Sequence, residues 1–343
     1  MNRALINFKN RCTKGVAAIL GLVFFSGIAS CGSPAESKTS NPEGIPAGAV
    51  NAIRDEFFRA GIDVLGTDAI NEGRTKFGFL DYEGTASETG MNDGHMKERA
   101  WELTQWASRE SLAEVCNAEK TEDGTYIYSN TYKEVAVNPK KGTILLRVNG
   151  GLEYDFKPRT TETSWVHLLI EQTPVKYLYR DVKSLTAYVD FSVDEIKNYL
   201  GESEYNTSVH AAQLVWYFRL RNQKGEQIWF GIPLYDNREE ERGYADGEVF
   251  SYDKGTQSAI YSMDKVFYLG EEGAKVGERY QCVIPLNSAL EFCVEQSTAS
   301  GAFSEGTTAD DCYLTSMNMG WEVPGTFDCQ ATFYKIGLYA EKL

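Results

Sequence analysis

The chain has 343 residues, of which 49 are acidic and 34 basic, giving a formal net charge of −15. That balance excludes a surface built for nucleic acid or anionic lipid, since both need clustered Lys and Arg. With 42% hydrophobic and 13% aromatic residues the chain can bury a large core, and tyrosine leads the aromatics with 20 copies.

Residues 1–30 read as an export signal. Arg3, Lys9, Arg11 and Lys14 precede an uncharged apolar run over 16–25, and Ile28-Ala29-Ser30-Cys31 has the spacing of a lipobox. The run is too short to cross a bilayer and has the flanks of a signal peptide. The expectation is a lipid-bearing Cys31 and an exported body anchored in the outer membrane, periplasmic or surface-facing. Gly32 is not the Asp that often retains lipoproteins at the inner membrane. Loss of the signal removes four basic residues and leaves 30 basic against 49 acidic. Attachment is then by lipid alone, at about 0.8 kcal/mol per buried methylene.

Residues 31–45 are rich in Ser, Pro, Gly and Glu and predict a flexible tether. No repeat or clear boundary follows, so 46–343 is read as one elaborated domain. Within it, 46–124 is an N-terminal extension and 125–343 the core. Val50, Ile53, Phe57 and Ala60 share a helical stripe that predicts a helix over 47–60, and 76–82 predicts a strand followed by a loop over 83–94. The stretch 95–115 fits a helix through Met96, Ala100, Leu103 and Ala107, or a strand beginning at Trp101. From residue 126 onward short alternating runs predict strands over 126–128, 133–137, 143–149, 165–172, 185–191, 213–221, 227–234, 266–269, 280–284 and 329–340, separated by polar turns. Two helices interrupt them. One, over 192–200, starts at the capping box Ser192-Val193-Asp194-Glu195; the other, over 286–293, has Leu286, Ala289, Leu290 and Cys293 on one face. The class is mostly β, an antiparallel sandwich or barrel with a few short helices.

Apart from Cys12 and Cys31 there are five cysteines: Cys116, Cys282, Cys293, Cys312 and Cys329. An odd number with irregular spacing and no C-x-x-C suits small buried hydrophobes, and a bridge such as Cys312 with Cys329 stays open.

Strand alternation sorts the candidate site residues. Trp165, His167, Leu169 and Glu171 share one face of their strand; Gln213, Tyr217, Arg219 and Arg221 share another; Trp229, Pro233 and Tyr235 a third. Arg147 faces away from Ile144, Leu146 and Val148. If these faces form one concave sheet, they present the rings and hydrogen-bonding groups that a sugar needs. The turn-rich stretch 317–328 reads as a loop carrying Trp321 and Glu322 to a binding rim. For hydrolysis, Glu171 with Glu153 or Glu322 would be the carboxylate pair; for elimination, His167 or Tyr217 would be the base. No G-x-S-x-G, H-E-x-x-H, Walker or dinucleotide motif is present, and three scattered histidines make a zinc site improbable. The acidic stretch 236–246 would suit a structural calcium, or simply a solvated loop. No other cofactor is implied.

The stretch from Thr125 to Leu343 resembles the jelly-roll, concanavalin-like domains of lipoproteins from polysaccharide-degrading Gram-negative bacteria. The resemblance is carried by Trp165-Val166-His167-Leu168-Leu169-Ile170-Glu171-Gln172, by Trp229-Phe230-Gly231-Ile232-Pro233 with Tyr235-Asp236, and by Gly320-Trp321-Glu322-Val323-Pro324-Gly325 before the last strand. It implies a jelly-roll sandwich, a glycan partner and neighbouring polysaccharide-uptake proteins. Such domains include glycan-binding modules, hydrolases and lyases. The hydrolase strand Glu-x-Asp-x-x-Glu is not matched, while Arg147, His167, Gln213 and Tyr217 have the residue types of the lyases. Three function classes therefore stand: glycan binding first, glycan cleavage second, and a structural or protein-interaction role third.

Overall fold

Alternation of large apolar side chains builds two sheets whose inner faces form one core. The computed structural model describes residues 41–67, 76–80, 91–92, 95–96, 99–114, 118–238, 249–253 and 258–343. The export signal, Cys31, most of the tether and Cys116 lie outside the described residues, and Asn41–Leu343 groups as one unit.

In chain order the strands are β1 (Val50–Asn51), β2 (Ile62–Leu65), β3 (Lys76–Leu80), β4 (Met91–Asn92), β5 (His95–Met96), β6 (Trp101–Thr104), β7 (Glu119–Lys120), β8 (Tyr126–Ser129), β9 (Lys133–Asn138) and β10 (Thr143–Asn149). They continue with β11 (Val166–Gln172), β12 (Val182–Asn198), β13 (Gln213–Asn222), β14 (Gln227–Asp236), β15 (Val249–Asp253), β16 (Ser258–Ser262), β17 (Arg279–Pro285), β18 (Cys312–Val323) and β19 (Phe327–Lys342). Among the described residues the α-helices are α1 (Gly150–Glu153), α2 (Val266–Leu269) and α3 (Asn287–Ala299). The first sheet runs β17-β12-β19-β10-β9-β8-β7, with β1 on β19; the second runs β15-β16-β14-β13-β18-β11-β6-β2-β3. Pairing is antiparallel except for β14 with β16 and β2 with β6. The chain is thus a mostly β sandwich with a few short helices.

Leu146 of β10 and Phe191 and Val193 of β12 face Trp216 and Phe218 of β13 and Phe230 of β14, all fully buried. Each such aliphatic or phenyl side chain contributes roughly 1.5–3 kcal/mol by leaving water. A polar contact also joins the two sheets: the Trp321 indole N–H donates to the Leu146 carbonyl at 3.1 Å.

Several local expectations give way to tertiary pairing. The helix over 47–60 is replaced by turns and β1, because Asp55 and Phe58 adopt left-handed backbones (φ 49° and 57°), and the Asp55 carboxylate accepts from the Arg59 and Ala60 amides at 2.8 Å. In 95–115 the strand alternative prevails: Trp101 and Leu103 point inward and β6 pairs with β11. The capping box at Ser192 forms no helix. β12 continues to Asn198 beside β19 with a bulge at Asp194, Val193 fills the core, and Asp194 instead accepts from Thr332 at 2.7 Å and Gln330 at 3.3 Å. The second helix exists and runs on to Ala299. Residues 266–269 form one helical turn, ended by Gly270 at φ 77°. The expected loop 317–328 is strand up to Val323, with a short turn before β19. Cys282, Cys293, Cys312 and Cys329 are buried and free, so the bridge between Cys312 and Cys329 is not formed.

Gly320 sits in the middle of β18 at φ 146°, where a Cβ would meet the Leu168 carbonyl oxygen at 2.3 Å and Leu146 Cδ1 at 2.9 Å. Neither neighbour can yield, since one is ladder backbone and the other is packed core. Gly320→Ala is expected to destabilise the fold by about 2–4 kcal/mol in urea unfolding; a change under about 0.5 kcal/mol would contradict this placement.

Candidate functional site

The outer face of the second sheet is where alternation brings chemistry together. Register aligns three rows. Asp236 of β14 lies opposite Gln213 of β13, Gln213 opposite Glu322 of β18, and Glu322 opposite His167 of β11. Two residues further along, Pro233, Val215, Gly320, Leu169 and Thr104 make a flatter row. In the next, Gly231, Tyr217, Asn318, Glu171, Glu102 and Asp63 follow one another. Gly231 leaves room for the Tyr217 ring, which a Cβ would meet at 2.6 Å. That ring stands edge-on to Trp229 at 5.9 Å, and the Arg219 guanidinium stacks over Trp229 at 3.8 Å. Gln213 donates to Asp236 at 3.0 Å.

Glu322 is the centre of the face. Burial, and then the negative charge of Asp253 at the end of β15, push its carboxyl up to about 7. His167 goes the other way, to about 4, because burial disfavours the imidazolium more than its bond to the Trp165 carbonyl favours it. His167 Nδ1 lies 2.8 Å from that carbonyl, which can only accept, so Nδ1 carries the proton and Nε2 presents a lone pair. Nε2 is 3.8 Å from Glu322 Oε1, and the two side chains keep 18% and 17% of their surface exposed. Between about pH 4 and 7 the pair therefore holds its proton on the carboxyl. The Trp106 ring packs edge-on against His167 at 5.5 Å. The Tyr217 phenol is pushed up by burial and by the charges of Glu322, Asp253 and Asp236, so it stays protonated and can donate.

The other candidates separate. Glu171 is on this face but nearly covered, 5% exposed. Trp165 is exposed and precedes β11, with the Arg159 guanidinium 5.7 Å above its ring. A bulge between Leu214 and Val215 rotates the end of β14, turning Tyr235 to the core against Trp321 and bringing Asp236 out. Trp321 is fully buried rather than on a rim, because it alternates with Glu322 along one strand. Arg147 belongs to β10, between Glu134 and Gln330, in the first sheet. Glu153 lies in α1 at the end of the sandwich, bonded to the Ser108 hydroxyl and, at 2.9 Å, the Arg109 amide. The lyase set is thereby split across two sheets. Sequence reasoning missed Asp253 and Trp106, and read Asp236 as part of an acidic loop rather than of this face. The alternation of Val249, Ser251 and Asp253 was a signal for Asp253; the bulge that exposes Asp236 has none. Asp236 is engaged by Arg238 and Gln213, and residues 239–248 of the proposed calcium loop lie outside the described residues. Among the described residues no group of three or more His, Cys, Asp or Glu is arranged to hold a metal ion.

No protein-family model and no curated sequence matches the chain. Among solved structures it is similar to a native family 12 xyloglucanase from Bacillus licheniformis, with 11% identity and a TM-score of 0.38 over 66% of this chain and 97% of that one. It is also similar to an endoglucanase from Rhodothermus marinus, at 9% identity and a TM-score of 0.36, covering 64% and 92%. A third is a family 11 carbohydrate-binding module from Clostridium thermocellum, at 10% identity and a TM-score of 0.25, covering 74% and 94%.

Because the folded Glu322 carboxyl titrates near 7 against an ordinary 4.5, the folded state holds an extra proton between those values. The contribution of Glu322 to stability is therefore full below about pH 4.5 and lost as pH rises through about 7. Glu322→Gln should remove this loss and make the variant about 1–3 kcal/mol more stable than the parent at pH 8, with little difference at pH 4.5. Equal pH profiles for the two proteins would refute the raised carboxyl.

Proposed function

We propose that the outer face of the second sheet binds a glycan chain. One observation carries this reading: Gln213, Tyr217, Arg219, Trp229, Glu322 and His167 lie half-buried on one face of four adjacent strands. A pyranose offers apolar CH faces and a belt of hydroxyls. Trp229 and Tyr217 supply aromatic surface for the first; Gln213 and Arg219 as donors, with Glu322 and Asp236 as acceptors, supply partners for the second. The strongly acidic body disfavours nucleic acid as an alternative.

Glycan cleavage is the second reading, and the proton held by Glu322 supports it. A carboxyl that titrates near neutrality can give its proton to a departing glycosidic oxygen as the C–O bond breaks. Asp253 is the charge that acts on it and would be the second carboxylate, activating a water at the anomeric carbon. Elimination is less well supported, since Arg147 lies in the other sheet and His167 is a weak base.

Calorimetric titration with neutral and acidic oligosaccharides tests both readings. Trp229→Ala should weaken binding about tenfold or more while changing stability by less than about 1 kcal/mol. A reducing-end assay on the same sugars then separates the classes. Product from the parent and none from Glu322→Gln, with binding retained, would establish cleavage; binding without product leaves a binding protein. No interaction with any glycan on an array would remove the proposal and favour a protein-interaction role.

We also propose that the mature chain begins at a lipid-modified Cys31 and is held at the outer membrane. Intact-mass measurement of the membrane-extracted protein should give an acylated chain starting at Cys31; an unmodified start elsewhere would overturn it.

A further inference from the structure

We propose that a cavity at the end of this face, beside Trp165, binds the carboxylate of an acidic sugar such as a uronate. The cavity has a volume of about 500 Å³ and is lined by Arg109, Lys157 and Arg159, with Thr163, Ser164 and Glu153 among its other walls. Three cations around one opening are unusual in a chain of net charge −15. The proposal rests on the glycan reading for the polymer that carries the uronate, but the cavity itself is argued from its own residues.

The local charges do not cancel. Arg109 is paired with Asp155 at 2.6 Å, and that carboxylate also lies near Lys157. Glu153 is turned to Ser108 and the Arg109 amide, with buried Lys133 on its other side, and burial raises its carboxyl above the ordinary range. Arg159 has no carboxylate partner among the described residues, and only 8% of its surface is exposed. Its Nε donates to the Thr163 carbonyl at 2.8 Å and its Nη1 to the Val209 carbonyl at 3.0 Å. Those two bonds fix the guanidinium and leave Nη2 without a hydrogen bond among the described residues. The main chain is held as well, because the Arg159 carbonyl meets His210 Nε2 at 3.0 Å. Burying a cation without a counter-ion is costly, and a fixed planar fork of N–H donors matches a carboxylate in two-point contact.

Position links this cavity to the glycan face. Ser164 and Val166 line it, and Trp165 between them has the parity of His167, which lies opposite Glu322. Trp165, beneath the Arg159 guanidinium, is 42% exposed and offers a ring between the two regions. A chain lying along the face would bring one sugar to the cavity, where a carboxylate separates an acidic residue from a neutral one.

The test uses NMR titration of the full soluble body with glucuronate and glucose, then calorimetry with matched acidic and neutral oligosaccharides. Glucuronate should bind and glucose should not. The acidic oligosaccharide should bind at least tenfold more tightly than its neutral counterpart. Lys157→Ala, at an exposed position, should cut the acidic preference at least threefold, and Arg159→Met should abolish it, whereas Trp229→Ala should weaken both sugars alike. Circular dichroism checks that Arg159→Met still folds; if it does not, Lys157→Ala decides. Equal binding of glucuronate and glucose overturns the cavity, even if neutral glycans still bind the face. Glucuronate binding without any oligosaccharide binding leaves the cavity standing and removes the glycan face. Inorganic sulfate competing as strongly as glucuronate would overturn the assignment to a sugar.

Discussion

The hydrogen bond from the Trp321 indole to the Leu146 carbonyl is the constraint on which the rest depends. It crosses the core from β18 to β10 and fixes both the register and the facing of β18. With Trp321 committed inward, alternation leaves Glu322 no choice but the outer face. Gly320, one residue earlier, lets β18 approach β11 and β10 closely enough for the indole to reach. The buried tryptophan and the outward-facing carboxyl are thus two consequences of one strand setting.

That setting also explains the electrostatics of the face. Glu322 sits between Gln213 and His167 on central strands, where flanking side chains take it away from water. Isolated, it would remain ionised; here burial and the Asp253 charge act in the same direction. His167 provides no compensating cation, because its own surroundings keep it neutral. Two groups that would form an ion pair in water instead share the neighbourhood as acid and lone pair. The same economy of counter-charge recurs around Arg159, with the opposite sign.

Much of this was legible in the sequence, for one physical reason. Wherever a strand alternates without interruption, each residue's face follows from its parity, and His167, Glu171, Gln213, Tyr217, Arg219 and Trp229 all lie on the outer face of one sheet as read. Parity fails at bulges: the slip before Val215 turns Tyr235 inward and Asp236 outward. It fails also where a local motif competes with long-range pairing. Ser192 to Glu195 spells a helix start, yet β19 offers a ladder that resumes past a bulge at Asp194, and Val193 has a core position. Alternation does not say which strands are neighbours either, so Arg147 was grouped with a face to which it does not belong. Turn-forming residues misled in the same way around Trp321, where glycine permits a crowded strand rather than a loop.

The position of β19 has a consequence for how the protein acquires its shape. This last strand runs through the interior of the first sheet, with β12 along one side and β10 and β1 along the other, so Asn51 pairs with Tyr339. The strands that flank it have no common partner until the carboxyl-terminal residues are available. Folding must then close very long loops before that sheet gains its central ladder, which favours slow, late and cooperative acquisition of structure.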